Sequence, residues 1–241
     1  MKIIKLAVTA LLAAFAAVAF ADTAPSEEAV KQLVEKRLND GTKVDSVSKA
    51  NFLGLYEVRT GADIMYTDEH AKYLIVGHVI DLETRKDYTK ERLDEVSKIN
   101  FSELPFDSSI KMVKGNGKRV IAVFEDPNCG YCKRLRKTLS AMDNVTVYTF
   151  MFNILSDDSS VKSKNVWCSA DRVKAWDNWM LRGNAPAVAP ASCKTTPNDK
   201  VLALGKKLHI TGTPTIFFTD GSRFPGAVDG AALEEKWLSL Q

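Results

Sequence analysis

Two cysteines stand two residues apart in the stretch FEDPNCGYCKRL, at positions 129 and 132, behind the apolar run VIAVF. A thiol pair at this spacing can ligate a metal, staple a loop, or exchange electrons with another disulfide. Exchange requires a thiolate, because only the thiolate attacks. Cys129 falls where strand-like RVIAVFE gives way to a helical pattern, CGYCKRLRKTLSAM. Unpaired N–H groups and the positive end of a helix favour an anion at that point. Cys129 is therefore the candidate nucleophile. Cys132, about one turn further in and more buried, is the candidate resolving thiol, able to release a trapped mixed disulfide. Lys133, Arg134 and Arg136 add positive charge nearby, which as exposed charge contributes little.

A structural zinc site needs four ligands, usually as two short-spaced pairs. The remaining cysteines, Cys168 in NVWCSAD and Cys193 in APASCKT, are no such pair and have no histidine beside them, so no metal is expected. Four cysteines allow three pairings, and the spacings favour 129–132 with 168–193. His70, His78 and His209 form no plausible triad with either cysteine, which argues against a papain-like hydrolase. His209 is expected to pack or lie at the surface. The glycine-rich KGNGK lacks P-loop spacing, and neither a nucleotide nor a flavin is implied.

The elements that must position these residues begin after a leader. MKIIKLAVTALLAAFAAVAFA has a basic start, a short apolar run and an A-x-A end, the pattern of a secretory signal. Residues 1–21 are expected to be cleaved after Ala21, leaving a soluble exported protein for which a periplasm fits best. Cleavage takes away two of 33 basic residues and none of the 30 acidic ones. The near-neutral remainder gives no reason to expect nucleic acid or an anionic membrane as partner.

Residues 22–82 read as a small α+β unit. SEEAVKQLVEKRL is a helix with Ser26 as N-cap, stopped by Asn39-Asp40-Gly41. Strand-like KVDSVSKA, GLYEVRT and DIMYTD follow, then YLIVGHVIDL, the most apolar. About sixty residues make a marginal core, and an apolar strand with nothing after it to cover it suggests pairing with a second copy. Residues 83–100 carry dense charge of both signs and a thin apolar stripe, Leu93, Val96 and Ile99, the signature of a largely exposed connecting helix. From 101 to 241 the pattern is strand–helix–strand: SIKMVKG and RVIAVFE, the CGYC helix, and VTVYTFMF as a buried strand of the parallel-sheet kind. Residues 153–206 are expected to be mostly helical, with Trp167, Trp176 and Trp179 in the core. PTIFF, GSRFPGAV and a closing helix capped by Asp229 end the chain.

Taken together, the signal segment, N-terminal unit, helical linker, CGYC, the WC…APASC cysteines and TGTP resemble the DsbC/DsbG family of the thioredoxin superfamily. The features span nearly the whole chain. The resemblance implies an α+β fold: a cystatin-like N-terminal dimerisation domain, a helical linker, and a thioredoxin-like domain with a helical insertion. It implies a homodimeric periplasmic disulfide isomerase acting on misfolded exported proteins, with chaperone activity, no cofactor beyond the Cys129–Cys132 pair, and the membrane reductase DsbD as electron donor. Cys129 would attack and Cys132 resolve, with Gly130 and Tyr131 between them. Thr213-Pro214 would be the substrate-binding cis-proline loop, and Cys168–Cys193 a structural disulfide. Ordinary thioredoxins carry a buried Asp six residues before the first cysteine. Here that place is Val123, so a proton acceptor is not expected there, and Glu125 or solvent is left. A DsbG-like reductase of single or sulfenylated cysteines, which usually reads CPYC, and a holdase without turnover are the alternatives.

Overall fold

A computed structural model describes residues 24–240, so the expected signal segment lies outside the described residues. Helix α1 (Glu27–Leu38) begins at Ser26, whose side chain accepts from the Ala29 N–H, and ends at Asn39 in the left-handed region. It packs Val30 and Val34 onto Val47, Tyr56 and Val58 of a four-stranded antiparallel sheet. The strands are β1 (Ser46–Lys49), β2 (Tyr56–Thr60), β3 (Asp63–Thr67) and β4 (Leu74–Val76), in that order across the sheet. The long apolar run YLIVGHVIDL gives only the three residues of β4 as strand, and Leu74, Ile75 and Val76 are all exposed at the sheet edge.

The charged segment yields a shorter helix than its composition suggests, α2 (Tyr88–Val96), capped by Asp87. It is docked as well as exposed. Thr89 is buried with its hydroxyl 2.8 Å from that of Tyr66, and Arg92 Nε reaches both carboxylate oxygens of Glu57 at 3.1 and 3.2 Å.

The second sheet carries the cysteines. Its strands are β5 (Ile110–Val113), β6 (Arg119–Glu125), β7 (Val145–Met151), β8 (Thr215–Phe218) and β9 (Arg223–Pro225), in the order β5-β7-β6-β8-β9. Central β6 runs parallel to β7 and antiparallel to β8. Because strand side chains alternate, Ile121 and Val123 face one core with Leu135, Leu139, Leu233 and Trp237, while Ala122 and Phe124 face the other with Phe150, Phe217 and Val201. The first core lies under α3 (Gly130–Ser140) and α7 (Gly230–Leu238), and the second under α6 (Asn198–Lys207).

Between β7 and α6 stand α4 (Asp157–Trp167) and α5 (Arg172–Arg182), followed by an irregular stretch to Pro197. Of the three tryptophans only Trp176 is wholly buried, while Trp167 and Trp179 are half-buried. Cys168 caps the end of α4 and is joined to Cys193, closing a loop with a sequence separation of 25. This bond ties that irregular stretch to the end of α4, and it should stabilise by roughly 3 kcal/mol through the entropy of the unfolded chain. Replacing both Cys168 and Cys193 by Ala should therefore lower the denaturant midpoint. A double variant as stable as the parent would show that the loop is held without the bond.

Candidate active site

The active-site turn is built around a buried carboxylate that the chain supplies just after β6. Asp126 is completely buried. Its Oδ1 accepts from the Asn128 N–H and the Ser159 hydroxyl, both at 2.8 Å, and its Oδ2 from the N–H groups of Ile154 and Leu155 at 2.9 and 3.0 Å. One side chain thus joins the β6–α3 turn to the β7–α4 turn. The turn delivers Cys129 to the N-cap of α3, where its sulfur accepts from the Cys132 N–H at 3.3 Å. Its Sγ–H points to the carbonyl of Thr213, also at 3.3 Å. The Thr213–Pro214 peptide bond is cis, and the Pro214 carbonyl receives the Gly226 N–H at 2.7 Å. Cys129, Cys132, Thr213 and Pro214 are therefore gathered at one end of the sheet, while the Cys168–Cys193 bond belongs to the α4 end.

The two thiols differ in environment. Cys129 is 5% exposed and Cys132 not at all. Burial pushes the Cys132 thiol far above its ordinary range, and the negative charge of Glu125 pushes it further. Around the opening, Tyr131 is exposed beneath the Arg134 guanidinium, and the Lys133 and Lys162 ammonium groups both lie over the Trp179 ring, at 4.3 and 4.5 Å. The Trp179 N–H holds the carbonyl of Pro127 at 2.6 Å. A side chain at Gly130 would meet nothing within 4 Å, so packing does not dictate a glycine there.

Arg136 lies elsewhere than its charged neighbours in the sequence suggest, and Glu125 is buried. Arg136 is not surface charge: it is 2% exposed, with Nε on Asp177 Oδ1 at 2.6 Å and Nη2 on Met112 Sδ at 3.3 Å. Glu125 is fully buried, so the site has an internal carboxylate although position 123 lacks one. Desolvation pushes its carboxyl up to about 7, opposed by the nearby charge of Arg136. The Thr149 hydroxyl donates to Oε2 at 3.3 Å. The Trp176 N–H also favours the charged form, yet among the described residues Trp176 Nε1 and Glu125 Oε1 both lack a partner of good hydrogen-bond geometry. The signal for Glu125 was present in strand alternation, which puts it on the same face as Ile121 and Val123. That for Arg136 was its place one helical turn after Cys132. Among the described residues no group of three or more His, Cys, Asp or Glu side chains could hold a metal, and no helix is long and apolar enough to cross a membrane.

Comparison with known proteins divides the chain where its two sheets do. Residues 21–90 match the family described as disulfide bond isomerase protein N-terminal domain, and residues 106–239 match the thioredoxin-like domain. The probable thiol:disulfide interchange protein DsbC of Bordetella pertussis is 47% identical over 88% of this chain and 74% of its own length. The thiol:disulfide interchange protein DsbC of Escherichia coli K12 is 30% identical over 90% of this chain and 87% of its own. A disulfide interchange protein from Neisseria gonorrhoeae, solved by crystallography, superposes with a TM-score of 0.52 at 38% identity, covering 56% of this chain and 97% of that one.

Glu125 should make folding stability depend on pH. Its carboxyl titrates near 4.5 when exposed and near 7 in the fold, so the folded protein holds this proton more tightly. The contribution is fully present below pH 4.5 and is lost as pH rises through 7, at a cost on the order of 3 kcal/mol. Glu125→Gln removes the titration. Its stability relative to the parent should climb between pH 5 and 8 in denaturant unfolding, and two parallel pH curves would contradict a buried titrating Glu125.

Proposed function

The chain belongs to the DsbC family of thiol:disulfide interchange proteins, and on that premise we propose that it reshuffles incorrect disulfides in exported proteins. It is a thioredoxin-like thiol:disulfide oxidoreductase, a disulfide isomerase of the periplasmic kind. The observation that carries the reading is the asymmetry of the pair: one sulfur at the open N-cap of α3 beside the Thr213 carbonyl, the other sealed beneath it.

In this reading Cys129 attacks a substrate disulfide as thiolate, one substrate sulfur leaves, and a mixed disulfide remains on Cys129. A second substrate thiol then displaces Cys129 and completes an isomerisation. Alternatively Cys132 displaces the substrate, which departs reduced while Cys129 and Cys132 become bonded. Gly130 and Tyr131 form the exposed lip over which substrate approaches, and the backbone at Thr213-Pro214 pairs with an extended substrate segment. Isomerisation requires the pair to be reduced at rest, so a membrane reductase of the DsbD type would supply electrons across an oxidising periplasm. The Cys168–Cys193 bond would remain structural. No metal or organic cofactor takes part.

Domain bounds of 22–82, 83–100 and 101–241 suit a dimer in which two N-terminal units pair and two catalytic units face one cleft. The support is the exposed edge of β4, with Tyr73, Leu74, Ile75, Val76, Ile80 and Leu82 all open to solvent. Such an edge is a template for pairing and is unusual on a monomer. A cleft of this kind would also hold unfolded chains and give chaperone activity.

Scrambled ribonuclease should not be reshuffled by Cys129→Ala, whereas suppression of aggregation should survive the change. Normal reshuffling by that variant would refute the catalytic assignment. Sedimentation of the leaderless protein should give a dimer at micromolar concentration, and a stable monomer there would dispose of the shared cleft.

A further inference from the structure

We propose that the cations around Cys129, Lys133 and Arg134 above all, select among client disulfides and favour those flanked by carboxylates. The proposal rests on the exchange reading above and concerns its first step, the attack.

The attacking sulfur is itself an anion, because only the thiolate attacks. By its own charge it repels a disulfide set among Asp and Glu, and such clients would be the slowest to react. The side chains around it reverse that balance. Trp179 packs against the cluster that holds Cys129, Cys132 and Met151, and its N–H is anchored on the Pro127 carbonyl, close before Cys129 in the chain. Over its ring lie the ammonium groups of Lys133, at 4.3 Å, and Lys162, at 4.5 Å. Two ammonium groups brought to one ring repel each other, and the electron-rich face of the indole offsets that repulsion. Lys133 also donates its backbone N–H to the Cys129 carbonyl at 3.1 Å. The Arg134 guanidinium lies 5.1 Å from the ring centre of Tyr131, between the two cysteines in the chain and exposed.

The acidic groups nearby do not cancel these charges. Arg136 is taken by Asp177 and Lys162 by Asp158, but among the described residues neither Lys133 nor Arg134 makes an ion pair. Asp158 also accepts from the Asn128 side-chain amide at 2.8 Å, and Asp157 stands beside it in the first turn of α4. Glu125 and Asp126 are wholly buried and closed to a client. Two unpaired cations therefore stand beside the reacting sulfur, and the positive end of α3 adds to them. The loop that reaches the same sulfur through Thr213 is different: from Ile210 to Phe218 it carries no charged residue. A client pairing with that loop is held by its backbone, whatever its sequence, and the α3 side is where charge is read. Exposed charges contribute little to a pair at equilibrium, but encounter rates follow their summed field, by roughly tenfold or more at low salt.

The step balances without the cations taking part in it. Cys129 Sγ, as thiolate, forms a bond to one client sulfur as the client S–S bond breaks, and the other client sulfur leaves with the electron pair. Cys129 is oxidised into the mixed disulfide and the departing client sulfur is reduced. That sulfur leaves as an anion beside the same cations, so they favour its departure as well as the approach of the client.

The test is stopped-flow attack by the reduced protein on fluorescence-quenched peptide disulfides that differ only in the residues flanking the cysteine, Glu in one and Lys in the other. Each rate is divided by the same peptide's rate with dithiothreitol, which removes the peptide's own reactivity. At low salt the Glu peptide should react about tenfold faster than the Lys peptide. At 1 M salt, where screening acts within about 3 Å, that ratio should fall below about twofold. Lys133→Gln combined with Arg134→Gln should lower the low-salt ratio by roughly threefold or more. Lys118→Gln, exposed just before the start of β6 and so at the far end of that strand from Cys129, should leave the ratio as it is. Equal rates for the two peptides, or a faster Lys peptide, would overturn the proposal. So would a ratio that the double variant keeps, or one that Lys118→Gln lowers equally. A Glu preference unmoved by 1 M salt overturns it whether or not the double variant folds. A parent that attacks neither peptide would instead sink the exchange reading on which the proposal rests.

Discussion

The chemistry of this protein depends on where β6 stops, and Asp126 determines that. A carboxylate taken wholly out of water must be met by donors, or the fold loses several kcal/mol. Here the donors are backbone amides from two different turns and one serine hydroxyl. Meeting them locks the β6–α3 junction against the β7–α4 junction. The lock sets Cys129 as the cap of α3, and a cap position is one of the few places where a sulfur can be nearly buried and still be offered an N–H. The Thr213 carbonyl reaches the same sulfur from the β8 side, so three separate segments define one atom's surroundings.

Beneath that sulfur the core is less apolar than a core built for stability alone. Arg136 and Asp177 pair at 2.6 Å, with Arg136 2% exposed. Arg136 Nη1, Glu125 Oε1 and Trp176 Nε1 are all left without partners among the described residues. Buried ion pairs seldom outperform well-packed apolar side chains, and unsatisfied atoms beside them are a further loss. Unpartnered buried atoms occur elsewhere too, Trp237 Nε1 and Asn153 Nδ2 among them, but here three neighbouring side chains carry one each. The rest of this sheet's two cores, by contrast, is made of aliphatic and aromatic side chains.

The sequence carried the outline of this arrangement and hid its underside. CGYC after a strand, TGTP before another, and a second cysteine pair were sufficient for the thioredoxin-like fold and family, because each is local in the chain. The alternation of RVIAVFE also contained Glu125, one pleat beyond position 123 on the same face, but its complete burial depends on the packing of β7, α3 and α5 around it. Arg136 was misplaced for a different reason: in KRLRK it looks like its exposed neighbours, and only Asp177, 41 residues away, makes its burial tolerable. The charged segment before the catalytic unit was legible as helix. Its docking through Arg92 and Glu57, 35 residues apart, was not. Long-range charge pairing has no periodicity, so it leaves no local trace.

The N-terminal unit makes sense of the open site. A lone thioredoxin-like unit holds a substrate only through one sulfur and a short loop, and once Cys132 resolves the bond nothing detains the substrate for a second exchange. Isomerisation needs several exchanges in succession on the same molecule. The proposed dimer rests on the exposed edge at β4, whose three residues are apolar and open to solvent, and in such a dimer effective concentration favours repeated capture over escape. On this view the sealed position of Cys132 matters as much as its reactivity. A buried resolving thiol forms its thiolate less readily than one in water, and the delay leaves time for a substrate thiol to complete the rearrangement first.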